Sequence, residues 1–310
     1  MLPIAELVRV QDMLDDEFRC PLGDAAAARW DCESAVFLRS STSHVFVARP
    51  VRPGPRLVLR MRPERSDGAV LQRSAEIAAA LHGAGAPVMT SAASTAGRLV
   101  EQVEGYRAMA LIAAEGEVRD DDEIDPATAR AWGRLLADFH DRTAAVTAPD
   151  VPQMAALTSD PMAARLAELP RTPEVHGLLH GDPEPDNVVW TAAGGVFVDF
   201  DDVRRGWFAA DVGFALRAWG PPARAPDLAA PVPAAFVAGY RERRPLSDEE
   251  LSWLPLLAAA AAAETLAELA PGLVERPQPD WPPWAVALDR RVRDRVAALA
   301  AGLHAAFPSG

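Results

Sequence analysis

The spacing of apolar positions changes period several times along this chain, and the changes outline its architecture. A helix is predicted over Ile4 to Phe18. From Trp30 to Arg62 the pattern becomes that of strands. AVFLR and HVFVAR flank Ser40-Ser41-Thr42-Ser43, and the RPGP of Arg52 to Pro55 turns the chain into RLVLRM. Ser66 to Leu81 then sets Val70, Ser74, Ile77 and Leu81 on one helical stripe, which stops at Gly83-Ala84-Gly85 ahead of Pro87. Arg98 to Val103 and Tyr106 to Ile112 read as two further strands.

Beyond Ala113 to Gly116 helical patterns dominate. Asp125 is a cap and Pro126 a first helical residue, opening a helix whose Trp132, Leu135, Leu136 and Phe139 share one face. NVVW and VFVDF read as a hairpin around the Ala-Ala-Gly-Gly turn of 192–195. Ser247-Asp248-Glu249-Glu250 is a capping box with Leu246 placed to staple it, and the alanine run 258–263 suggests close helix packing. The expected division is a β-rich N-lobe, 1–113, and a helical C-lobe, 114–310, with no internal repeat.

Composition narrows the class. With 310 residues, 49% hydrophobic and 24% charged, the chain has the balance of a soluble globule large enough for two packed units. Its start lacks a basic stretch followed by an apolar core and carries Asp15, Asp16 and Glu17, so it reads as mature protein. The apolar run Trp253 to Ala263 is mostly alanine, contains Pro255 and falls short of the roughly 20 residues a spanning helix needs, so no membrane contact is expected. Cys20 and Cys32 are the only cysteines, which points to free thiols and the cytoplasm. The net charge of -13 disfavours nucleic acid and mildly favours a cationic partner. All 31 basic residues are arginine, which excludes a lysine Schiff base or the lysine of a phosphate-binding P-loop.

The chemistry concentrates in LLHGDPEPDNVVW and the VFVDFDD that follows it. Together they put His180, Asp182, Asn187 and Asp199 at the ends of two adjacent short strands. Phosphoryl transfer from a nucleotide needs a carboxylate to orient the attacking hydroxyl, a role that suits Asp182. It also needs oxygen ligands for Mg²⁺, which suit Asn187 and Asp199 because a hard cation prefers carboxylate and amide oxygens. His180 has no second histidine near it and reads as a loop-stiffening residue. Glu184, Asp186 and Asp202 are suited to attract a cationic substrate and equally to be solvated surface. The tryptophans at 207, 219, 253, 281 and 284 read as core.

HGDPEPDN resembles the catalytic loop of the aminoglycoside phosphotransferase and choline kinase superfamily, and VFVDFDD resembles that family's metal-binding strand. WGRLLADFH (Trp132 to His140) is similar to the helix beneath the family's catalytic loop, and Ala210-Asp211-Val212-Gly213 to the element whose aspartate braces that loop. The resemblance implies an α+β, bilobal, protein-kinase-like fold, with a small antiparallel sheet in the N-lobe and a larger, mainly helical C-lobe. By the same likeness Glu76 is the helix glutamate, and Arg60 stands where its lysine partner is usual, with a planar fork suited to phosphate oxygens. Ser41, Thr42 and Ser43 take the place of the glycine-rich phosphate loop. Asp201 takes the place of the glycine that follows the metal aspartate in protein kinases.

The expected function is transfer of the ATP γ-phosphoryl group to a small-molecule hydroxyl. The backbone around Ile112 and Ala113 would hold adenine, Arg60 the phosphates, and Asn187 with Asp199 the magnesium. The family's acceptors include aminoglycosides and other antibiotics, amino sugars, choline-like alcohols and hydroxy amino acids. Competing readings are a protein Ser/Thr kinase, a nucleotide-binding pseudokinase and, last, a metal-dependent phosphohydrolase.

Overall fold

The structure, a computed structural model, describes residues 1–65, 68–148, 151–154, 160–269 and 277–306. Contacts group the chain into two compact units, Met1–Ala79, Met89–Ala113 and Leu269–Asp294 in one, and Ala80–Val88, Ala114–Glu268 and Arg295–Gly310 in the other.

The first unit opens with α1 (Ile4–Gln11) and α2 (Pro21–Ala27). The helix expected as far as Phe18 ends at Gln11 because the Asp15 carboxylate accepts the backbone N–H groups of Glu17 and Arg19 at 2.9 and 2.8 Å, giving that stretch a turn in place of a helix. α2 was not evident in the sequence: its cap is the Cys20 sulfur, 3.5 Å from the Gly23 N–H, with proline following. The strands β1 (Cys32–Ser40), β2 (His44–Pro50) and β3 (Leu57–Pro63) form the expected antiparallel meander, with Phe46 opposite Leu59 and Val47 opposite Val58. α3 (Gly68–Gly83) follows; residues 66 and 67 of the expected helix lie outside the described residues. β4 (Ser91–Ala92), β5 (Val100–Val103) and β6 (Tyr106–Ile112) complete the sheet in the order β1-β2-β3-β6-β4, with β5 also on β6. Its alternation buries Phe46, Ala48, Leu59, Met61, Ala108 and Ala110 in one core with Leu22 and Ala26 of α2. Cys20 and Cys32 are free thiols in this core.

The second unit is built on α4 (Pro126–Thr143), capped by Asp125, whose side chain accepts the Thr128 N–H at 2.7 Å. Trp132, Leu136 and Phe139 on its apolar face are fully buried. Next come α5 (Asp160–Ala167), β7 (His176–Leu179), β8 (Val188–Thr191), β9 (Gly194–Phe197) and β10 (Arg204–Trp207). α6 (Phe208–Ala215), α7 (Pro231–Arg241), α8 (Asp248–Ser252) and α9 (Leu254–Leu269) follow, and α10 (Pro283–Ala306), whose residues up to Asp294 belong to the first unit, is the last described helix. The capping box at Ser247 and Glu250 is formed. α4 and α7 pack with unusual closeness: a Cβ on Gly133 would lie 2.0 Å from the Phe236 carbonyl oxygen, and one on Gly239 2.0 Å from that of Arg130.

The β8–β9 hairpin turns earlier than expected. Gly194 and Gly195 are paired with Thr191 and Trp190, so the turn is Ala192-Ala193 alone. Gly195 packs against α4, where a Cβ would approach the Leu135 side chain to 2.6 Å. Of the tryptophans, Trp207 is core and Trp281 is buried with Ile4 and Ala285, whereas Trp219 and Trp253 are half-buried and Trp284 is exposed. No helix among the described residues is long and apolar enough to cross a membrane.

Candidate active site

Two small pairs of strands deliver the site. β7 ends one residue before His180, and its partner β10 starts just after Asp202. β8 begins one residue after Asn187, and its partner β9 ends two residues before Asp199. The hairpin closes on the catalytic loop because the Val198 N–H donates to the Asn187 carbonyl at 3.0 Å. The two loops also touch at Gly181, whose φ is +87° and whose missing Cβ would sit 2.0 Å from the Asp202 carbonyl oxygen. Asp182, Asn187, Asp199 and Asp202 therefore share one neighbourhood.

Two buried groups, Asp211 and His180, hold this loop by its backbone, with His140 and Tyr240 behind the first. The Asp211 carboxylate accepts the N–H groups of His180 at 2.7 Å and Gly181 at 3.0 Å. It also meets His140 Nε2 at 3.0 Å, while His140 Nδ1 faces the Tyr240 hydroxyl at 2.8 Å. Burial pushes the Asp211 carboxyl up, but the hydrogen bond and charge of His140 outweigh it and hold the group below the usual carboxylate range. Nε2 of His180 donates to the Val198 carbonyl at 3.0 Å, so its Nδ1 is the acceptor for the Asp182 N–H at 3.3 Å. Both nitrogens are thus engaged, and burial among Phe139, Phe197 and Phe200 lowers the imidazole pKa to about 4.

At the centre, Asn187 Nδ2 donates to the Asp182 carbonyl at 2.9 Å and to its Oδ2 at 3.0 Å. Asp182 Oδ1 is buried and accepts no hydrogen bond; its nearest charged partner is Arg217 Nη2 at 3.5 Å. Burial pushes the Asp182 carboxyl well above the usual range, with Arg217 pulling against it and Glu184, Asp202 and Asp199 adding to it. Asp202 is likewise pushed up to about 6, by burial first, with Arg204 opposing and Glu268, Asp199 and Asp201 reinforcing. Asp199 has a φ of +66°, a backbone conformation that costs an ordinary residue about 1–2 kcal/mol and recurs at functional positions.

Mg²⁺ fits this donor set. With Nδ2 committed to Asp182, Asn187 turns its amide oxygen to the other side, and the Asp199 carboxylate helps to raise that of Asp202, a repulsion that a dication would relieve. Among the described residues no three His, Cys, Asp or Glu side chains surround a common point.

The remaining expected residues lie in the first unit. Arg60 is buried on β3 and its Nη2 lies 3.4 Å from the Ser43 Oγ, so the buried Ser43 faces the arginine. Ser41 is exposed and Thr42 half-buried; the Ser41 N–H donates to the Ser43 carbonyl at 3.0 Å. Glu76 is exposed on α3 and accepts from Gln72 Nε2 at 2.6 Å, a partner other than the Arg60 anticipated from the family pattern. A helix-surface position leaves that carboxylate to its i−4 neighbour. Ile112 and Ala113 commit their N–H groups to the carbonyls of Thr90 and Arg56, each at 2.9 Å, which leaves their carbonyl oxygens as the groups available to a base.

Sequence reasoning missed Arg217 and Tyr240. Arg217 binds Glu184 through two nitrogens and stacks on Phe214, 4.4 Å from the ring centre. Neither residue falls in a motif, and only their partners in space give them a role.

Residues 34–246 match the family model described as the phosphotransferase enzyme family. A homoserine kinase from Paramagnetospirillum magneticum (strain ATCC 700264 / AMB-1) is 41% identical over 109 residues, and that match spans 32% of this chain and 32% of the relative, about a third of its length. Among solved structures, the amicoumacin kinase hAmiN in complex with AMP-PNP, Ca²⁺ and Ami superposes with a TM-score of 0.67 at 18% identity, over 86% of this chain and 89% of that one. A microcompartment-associated aminopropanol kinase gives 0.65 at 18% identity, over 91% and 94%. These likenesses carry the α+β, protein-kinase-like fold expected from the sequence. The extent of the family match, across both the first-unit sheet and the whole loop from His180 to Asp211, makes the chain a member of the phosphotransferase enzyme family.

Proposed function

We propose that this protein is an ATP-dependent kinase that moves the γ-phosphoryl group to the hydroxyl of a small molecule. One observation carries the reading: Asp182 Oδ1 is a buried carboxylate oxygen with no donor, while Oδ2 is held by Asn187. A fixed carboxylate with one vacant acceptor atom suits an incoming alcohol O–H. The family match supports the reaction class, and the names of a homoserine kinase, an amicoumacin kinase and an aminopropanol kinase among its likenesses support a small acceptor.

In this mechanism Asp182 accepts the hydroxyl's hydrogen bond at Oδ1 and aims its oxygen at the γ-phosphorus. A new oxygen–phosphorus bond forms, the bond to the β–γ bridging oxygen breaks, ADP leaves with that electron pair, and the hydroxyl proton passes to Asp182. Asn187 and Asp199 would hold Mg²⁺, which supplies charge neutralisation on the triphosphate. His180 and Asp211 position Asp182 through the loop backbone. In the first unit, Arg60 offers a guanidinium suited to phosphate oxygens, and the carbonyls of Ile112 and Ala113 are acceptors that would suit a base amino group. A cytoplasmic setting belongs to the same proposal and is supported by the two free thiols.

The test is an ADP-release screen over hydroxylated metabolites and antibiotics with Mg-ATP, run beside Asp182→Asn. An acceptor that supports turnover in the wild type and not in the variant meets the proposal; equal turnover in both refutes it.

A further inference from the structure

The second unit contains a cavity of about 400 Å³ that the roles above leave unassigned. Its ionisable lining is Asp121, Glu184, Arg217, Arg224 and Arg295. Much of the remaining wall is small and apolar, with Ala210 and Gly213 from α6 and Ala258 and Ala261 from α9. The cavity borders the catalytic loop, because the Arg217 in its lining also lies 3.5 Å from Asp182 Oδ1.

The charge in this cavity runs against that of the chain. The whole sequence carries -13, yet three of the five ionisable groups here are arginines. Arg217 is committed to Glu184 by two hydrogen bonds and to Phe214 by stacking. Arg224 and Arg295 are exposed, and among the described residues no side-chain hydrogen bond or ion pair engages either guanidinium. Arg295 lies near the catalytic end, since it acts with Arg217 to lower a Glu184 carboxyl that burial raises. A purely cationic acceptor entering here would meet two guanidinium groups that no carboxylate of the described residues binds by hydrogen bond, Arg295 being offset only by the charge of Glu184. A carboxylate would satisfy them, in the planar geometry a guanidinium prefers.

Resting on the kinase reading, we infer that the acceptor is a small hydroxylated carboxylic acid. Arg295 and Arg224 take its carboxylate, the alanine-rich wall of α9 takes its carbon skeleton, and its hydroxyl reaches Asp182. An α-amino group on the acceptor has Asp121 as its counter-charge. The local field thereby overrides the overall acidity that favoured a cation.

Matched acceptors test this directly: L-homoserine against 3-aminopropan-1-ol, L-serine against ethanolamine, and glycerate against ethylene glycol. Within each pair the reacting hydroxyl is kept and the carboxylate is lost. ADP release is measured for wild type, Arg295→Ala and the Arg224→Ala/Arg295→Ala double variant. In at least one pair the acid is expected to exceed its partner by about tenfold or more in kcat/KM, and the double variant to raise KM for the acid by about tenfold with little change in kcat. The inference is overturned if the alcohols match the acids, if the double variant keeps the preference, or if no acid is phosphorylated. In that last case turnover of other alcohols that depends on Asp182 leaves the kinase reading standing, whereas its absence on every alcohol removes that reading as well.

Discussion

Asp211 holds His180 by the main chain, with Oδ2 accepting its amide N–H at 2.7 Å and Oδ1 taking the next amide at 3.0 Å. The carboxylate is fully buried and also binds His140. Asp211→Ala would leave two backbone donors and an imidazole without their acceptor. Each unmet buried group costs about 1–3 kcal/mol, so the variant should lose about 3–5 kcal/mol in urea unfolding. Asp211→Asn, which keeps the volume and one acceptor oxygen, should lose less stability while still lowering kcat. An alanine variant as stable as the wild type would contradict the bracing role.

The buried imidazoles set an acid limit on stability. Burial lowers the pKa of His180 to about 4 in the folded protein, against about 6.5 for an unfolded histidine. Between those values the unfolded chain binds a proton that the folded one does not. The stabilisation is therefore complete above about pH 6.5 and disappears as pH falls towards 4, with a span of about 3 kcal/mol. His140, also lowered by burial, acts with the same sign. Asp211, held below the ordinary carboxylate range, adds a further loss below about pH 4. Urea midpoints measured from pH 7.5 to 5 should fall, and His180→Gln should flatten that fall. An unchanged slope would contradict it.

Two glycines with similar backbones should respond differently. Gly181 has φ +87° and would drive a Cβ to 2.0 Å from the Asp202 carbonyl oxygen, whereas Gly97 has φ +75° and open space around it. Gly97→Ala should cost about 1–2 kcal/mol, the conformational penalty alone. Gly181→Ala must also part the two catalytic loops, so it should cost more and abolish turnover. Thermal unfolding and an ADP-release assay on both variants check this.

Legibility followed sequence distance. Asp182, Asn187 and Asp199 fall within one short stretch whose residue types already indicate the chemistry, and the strands and the α4 cap follow local periodicity. Arg217 meets Glu184 at a separation of 33 residues and His140 meets Asp211 at 71, so nothing local signals either pair. Two local readings fail for different reasons. Asp15 sits in a helical spacing but bonds the backbone two and four residues ahead, whereas Gly194 and Gly195 have turn-forming residue types and Gly195 is set by Leu135 on a helix distant in sequence.

The central claim is that Asp182 orients the acceptor while Asp199 holds the metal that engages the nucleotide. The most direct measurement is Mg-ATP affinity beside single-turnover phosphoryl transfer for Asp182→Asn and Asp199→Ala. Asp182→Asn is expected to bind Mg-ATP within about threefold of wild type and to transfer at least about 10³ times more slowly; Asp199→Ala is expected to lose binding itself. Transfer at the wild-type rate by Asp182→Asn, or undiminished Mg-ATP binding by Asp199→Ala, would contradict the account.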